Sequence, residues 1–161
     1  MGKTATKSDS WYRVIIDNQQ LVMSAGFRSL VQLAVTHVPS SLVTIDRLEV
    51  VPNSAISNLL PPESAKGLSI VRLFVALGSI TQLVWGRFFF FADEADAEQA
   101  NEYGLAERIA ASQMTICVVD NSSCFIFTNS TSLVCELLGS ELQLEVVKGD
   151  LPGILRRSED F

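Results

Sequence analysis

The sequence predicts an α+β domain, a mainly antiparallel β-sheet with helices packed on it. Three observations carry that prediction. Short apolar runs separated by turn residues recur along the chain, as strands require. Between them, Phe27, Leu30, Val31, Ala34, Val35 and Val38 recur at the helical period. Finally, the very apolar stretch 67–91 is interrupted by Arg72, Gln82 and Arg87 and carries Gly78-Ser79 at its middle. It is too broken to cross a hydrocarbon core and reads as two buried strands. An all-β jelly-roll-like sandwich is the alternative, since eight strands can be drawn if the two helices 27–38 and 131–138 are read otherwise.

In chain order, residues 11–16 form a strand, Asp17-Asn18-Gln19-Gln20 a turn, and 21–25 a second strand. The amphipathic helix 27–38 follows and Pro39 ends it. Residues 42–51 alternate Leu42, Thr44, Asp46 and Leu48 against Val43, Ile45, Arg47 and Glu49, which marks a strand with one partly wet face. Pro52-Asn53-Ser54 starts a short helix to Leu60, which Pro61-Pro62 breaks. Strands 68–77 and 80–91 come next. Residues 92–112 read as the longest helix, with Asp93, Glu94, Asp96 and Glu98 in its first turns, where the helix dipole favours negative charge. Its narrow apolar face places Tyr103, Ala106, Ile109 and Ala110 nearest the core, and Gly104 weakens its middle. A hairpin of 114–119 and 124–128 turns at Asp120-Asn121-Ser122-Ser123. Thr131 or Ser132 caps a helix to Leu138, Gly139 closes it, 142–147 is the last strand, and 151–157 is a short helix or tail.

The two halves echo one another. Val14-Ile15-Ile16-Asp17-Asn18 matches Cys117-Val118-Val119-Asp120-Asn121, and at the same offset Ser29-Leu30-Val31 falls on Ser132-Leu133-Val134. An internal ββαβ repeat, 11–51 and 114–147, would account for this. The expected organisation is a disordered tail over 1–10, one domain over 11–150 and a tail over 151–161. In element order, residues 11–112 resemble the profilin-like, roadblock and longin domains. That resemblance implies an intracellular interaction module that pairs through a sheet edge or a helix. It rests on order alone, so no family residue carries over. Residues 115–139, from Thr-Ile-Cys-Val-Val-Asp-Asn to Cys-Glu-Leu-Leu-Gly, are similar to the start of a PAS sensor domain, but too few residues follow Gly139 for the rest of a PAS sheet.

Composition narrows the chemistry. The chain has 161 residues, 48% of them hydrophobic, and a mean hydropathy of +0.29. That excludes a disordered chain. A net charge of −6 argues against a nucleic-acid binder that relies on phosphate contacts. Three cysteines, Cys117, Cys124 and Cys135, are too few for a disulfide scaffold. With Cys124 expected opposite Val119, Cys117 lies diagonal to it and beyond disulfide reach. Reduced thiols and a polar N-terminus with no apolar signal core predict a cytoplasmic protein. Met1-Gly2-Lys3-Thr4-Ala5-Thr6 also fits the loose myristoylation pattern.

Catalytic and cofactor signals are missing. His37, the single histidine, has no partner at a recognisable spacing, so no triad can be named. The cysteines lack zinc spacing, and the acidic cluster suits a solvated helix start better than calcium. No catalytic residue, metal or cofactor is expected. Two features favour a binding surface. Trp85, Arg87, Phe89 and Phe91 put bulky groups on one side of a strand whose other side carries Phe88 and Phe90. Asp93, Glu94, Asp96 and Glu98 open an acidic block with no basic residue before Arg108. The expectation is therefore a non-enzymatic interaction or regulatory module that self-associates or joins a complex through these residues. A small-ligand sensor domain is the runner-up, and a structural coat subunit a third reading.

Overall fold

The computed structural model describes residues 10–60 and 67–155. Its strands are β1 (Trp11–Asp17), β2 (Leu42–Val51), β3 (Leu68–Ser69), β4 (Gln82–Phe91), β5 (Met114–Val119), β6 (Ser123–Thr128) and β7 (Leu144–Gly149). All pair antiparallel in one sheet, in the order β3-β2-β4-β5-β6-β1-β7. The helices are α1 (Ser24–His37), α2 (Ile56–Leu59), α3 (Ile70–Leu77), α4 (Glu94–Ala100), α5 (Leu105–Ala111), α6 (Thr131–Leu138) and α7 (Leu151–Leu155). The fold is α+β, and the sandwich alternative falls because 27–37 and 131–138 are helical, with Val38 the C-cap of α1.

Alternation along the strands divides the apolar residues between two cores. Phe88 and Phe90 join Val14, Ile16, Ile116 and Ile126 under α1, α2, α3 and α6. Phe89 and Phe91 join Trp11, Cys117 and Phe127 under α4, α5 and α7. Helices on both faces explain why four consecutive phenylalanines can all be buried. On α1 the predicted face, Phe27, Leu30, Val31, Ala34 and Val38, is buried.

Several elements differ from the sequence expectation. Residues 21–25 are not a strand: Asn18 caps a 3-10 turn over Gln19–Leu21, and α1 begins at Ser24. Strand 68–77 is two residues of β3 followed by α3, capped by the Ser69 hydroxyl on the Arg72 N–H. A helix satisfies this run because only Leu73, Ala76 and Leu77 need burial, while Val71 and Val75 remain outside. The long helix 92–112 is two, since the chain breaks at 101–104 and Gly104 becomes the N-cap residue of α5. Ala97 and Ala100 therefore face the core, and Ala106 is exposed. Ser130 caps α6, and the last strand runs two residues later than expected.

The two Asp-Asn pairs also part company. Asp120 and Asn121 are both left-handed, with φ of 47° and 56°, and close the β5–β6 hairpin. Asn18 is extended at φ −147°. Residues 11–51 thus read strand, helix, strand, whereas 114–149 read strand, strand, helix, strand. The residues 1–9, with the myristoylation pattern, the Pro61-Pro62 break and the last six residues lie outside the described residues.

Candidate interaction surface

Directly opposed residues in a sheet share a face, so the register sorts the α4–α5–α7 face into rows. One row runs Thr44, Phe89, Thr115, Phe127, Arg13 and Val147. Its first five members are buried. The next runs Asp46, Arg87, Cys117, Phe125, Ile15 and Glu145. Here only Cys117 is buried, and Glu145 is exposed. Beyond it lie Glu49 opposite Trp85, and Val119 and Asp17 flanking Ser123, all half-buried or exposed. Burial falls away in that direction because α4 and α5 are short and sit over the other end of the strands. The result is a step, with helices over the upper rows and bare sheet over the lower ones.

An ion cluster marks the edge of the step. Arg87 Nε donates to Asp46 Oδ1 at 2.5 Å and its Nη2 to Oδ2 at 3.2 Å. From α5, Arg108 Nη1 donates to the same Oδ2 at 2.9 Å. Arg108 also donates to the carbonyls of Ala100, Asn101 and Tyr103, which closes the α4–α5 turn, and lies over the Phe89 ring. The neighbouring β2 is bulged, since the register shifts between Asp46 and Glu49. Arg47 takes the extra position at φ 50°, a left-handed conformation uncommon for arginine, and stacks over Trp85 at 4.6 Å. This cation–π pair presents a flat, preordered surface beside the half-buried Phe125, Val119 and Ile15.

The proposed site residues therefore divide. Trp85 and Arg87 lie on the open rows. Phe89 and Phe91 are 0% and 1% exposed, so this fold gives them no surface to offer. Their side of β4 meets α4 and α5, which a strand pattern alone could not reveal. Asp93, Glu94, Asp96 and Glu98 are exposed on α4, and Asp93 caps that helix by accepting from the Asp96 N–H at 2.8 Å. Asp46, Arg47, Phe125, Val119 and Ile15 were missed because strand pairing, not local spacing, brings them together, and Arg108 because the packing of α5 on the sheet brings it to Asp46.

Other chemical groups are accounted for by packing. His37 Nδ1 lies 3.3 Å from Ser132 Oγ, and Nε2 lies 3.9 Å from Glu136. These contacts clamp α1 to α6 on an open surface, with Glu136 54% exposed. All three cysteines are free thiols. Cys124 pairs with Val118 rather than Val119, one place from the expected register, and Cys117 pairs with Phe125, so the two thiols face opposite cores. Burial raises both, Cys124 to about 12. Among the described residues no group of three His, Cys, Asp or Glu could hold a metal, and no helix is long and apolar enough to cross a membrane. Comparison with protein-family models, curated proteins and solved structures finds no match to this chain.

Proposed function

We propose that the chain is a non-enzymatic protein-interaction module of the cytoplasm, and that it docks through the open rows of its sheet. The observation that carries this reading is the half-exposed set of Phe125 and Ile15 on one open row and Trp85 and Val119 on the next, beside the helix step. Aromatic residues and arginine are the types enriched where proteins meet, and they supply most of the binding energy there. Arg47 already holds Trp85 in one place, so little side-chain freedom is left to lose on docking. Three free thiols, Cys117 and Cys124 buried and Cys135 exposed, are in keeping with a reducing compartment.

A lysine at Trp85 tests the reading. It should strip the chain of its partner in native mass spectrometry from cells and leave the melting temperature within a few degrees of wild type. A wild-type chain that leaves cells as a bare monomer under gentle conditions would count against it.

One observation favours the ligand-sensor reading instead. A groove of about 540 Å³ lies between α2 and α3, lined by Ser57, Asn58, Val71, Arg72, Val75 and Ser79. A small molecule that leaves with the protein in the same mass spectrum, and is lost on Val75→Glu, would turn the assignment towards it.

A further inference from the structure

Resting on that reading, we infer that the open rows receive a second copy of this chain, docked about a two-fold axis running across the strands near the Arg87 row. A half-turn about such an axis lays the same sheet face of one copy on the other. It reverses every strand direction but keeps β2 and β4 of one copy over β2 and β4 of the other. The helix-covered end of each copy then lies over the open end of its partner.

Shape, charge and size all suit that arrangement. A helix with its side chains is about 10 Å across, so the helix layer of one copy fills the step of the other. α4 packs on β2 and β4, so the partner's α4 comes down on the part of the face that carries Arg47, Trp85 and Arg87. The charged groups of that helix and its N-cap are all acidic and all exposed, Asp93, Glu94, Asp96 and Glu98, with the neutral Ala95 and Gln99 exposed between them. Ala97 and Ala100 point into the chain's own core, which turns Glu98 outward. Around its landing place on β2 and β4, Arg47, Arg87 and Arg108 outnumber Asp46 and Glu49, a local positive balance in a chain of net charge −6, while Asp17 and Glu145 of the open rows lie across the sheet on β1 and β7. The two-fold makes each such contact twice. From β2 to β7 the face is about 24 Å wide, and its longest strands are about 33 Å long. That is room for the roughly 800 Å² each partner gives up in a stable interface. The acidic helix and the aromatic strand, two separate features of the sequence, become the two halves of one self-complementary surface.

Charge exchange on the full chain tests this by equilibrium sedimentation. The wild type should be a dimer. Arg47→Glu and Glu98→Arg should each weaken it about tenfold or more, and the double variant should recover most of the loss, because the pair is remade with its signs reversed. A wild type that stays monomeric at high micromolar concentration overturns the inference, as does a double variant no tighter than either single one. Should Arg47→Glu lower the melting temperature, Glu98→Arg decides alone, and an unchanged dissociation constant in that variant overturns the inference. Native mass spectrometry from cells separates this failure from that of the broader reading. A monomeric wild type that forms a mixed complex in cells, lost with Trp85→Lys, removes the second copy and leaves the docking surface. No assembly in either setting removes both.

Discussion

Arg108 reaches from α5 across the step to Asp46, donating its Nη1 hydrogen to Oδ2 at 2.9 Å. One side chain thereby ties the second helix of the α4–α5 pair to the bulged strand, while its other donors close the turn between the two helices. Both groups are partly exposed, so water screens much of the ion pair. Most of the cost of losing Arg108 should come from the carbonyls it leaves unpaired. We expect Asp46→Asn to lower stability by about 1 kcal/mol and Arg108→Met by about 2–3 kcal/mol, measured by urea unfolding. Equal effects would mean that the ion pair, not the turn, is what Arg108 stabilises.

Phe89→Lys and Phe91→Lys should both destabilise the folded chain, by about 3 kcal/mol or more. Each puts an ammonium into a core where the phenylalanine is fully buried. Trp85→Lys, on the same strand, should melt close to wild type because Trp85 is only half-buried. Thermal melting of the three proteins side by side checks the division. A folded Phe89→Lys variant would mean that α4 and α5 do not cover the strand.

Gly26 lies in the first turn of α1, where alanine would ordinarily gain about 1 kcal/mol of helix propensity. Here a Cβ would overlap the Gln20 carbonyl, because the 3-10 turn crosses against the helix at that point. Gly26→Ala should therefore destabilise despite its propensity, by about 2 kcal/mol or more. A denaturant midpoint at or above that of wild type would show that the turn can move aside.

Burial raises the thiol of Cys124 from 9.0 to about 12, and that of Cys117 is also raised. The unfolded chain then gives up these protons at a lower pH than the folded one. The thiols' contribution to stability is present below pH 9 and is lost as the pH rises towards 12. Melting temperature should fall over that window; Cys124→Ala should lower it at pH 7, through the cavity it leaves in the core, and flatten the alkaline fall. The same slope in both proteins would show that other groups carry the alkaline transition.

Local patterns made much of the fold legible. α1 follows from a six-position helical period, and β2 runs over the residues whose alternation marked it. The β5–β6 hairpin follows from Asp120 and Asn121, which tolerate the left-handed turn. Where two readings of an apolar run are both locally satisfied, the pattern is silent. Residues 70–77 suit a buried strand or a helix with one buried face, and packing against α1 and α2 selects the helix. Gly104 signals a weak point, but only the Arg108 contacts convert it from a flaw in one helix to the start of another.

The same divide runs through the candidate site. The inventory can be read along the chain: an acidic block at a helix start, bulky groups alternating along β4, and a single histidine with no partner at a recognisable spacing. Alternation is a property of the backbone, so it also ensured that Phe88 and Phe90 oppose Phe89 and Phe91. Which side stays open follows from long-range packing. Coverage depends on where α4 and α5 end, and a row's membership depends on the pairing of β2, β4, β5, β6 and β1. Asp46 and Arg108 are 62 residues apart and meet where α5 packs on the sheet. Contacts over such separations follow from how the whole chain closes its sheet, and no local period encodes them.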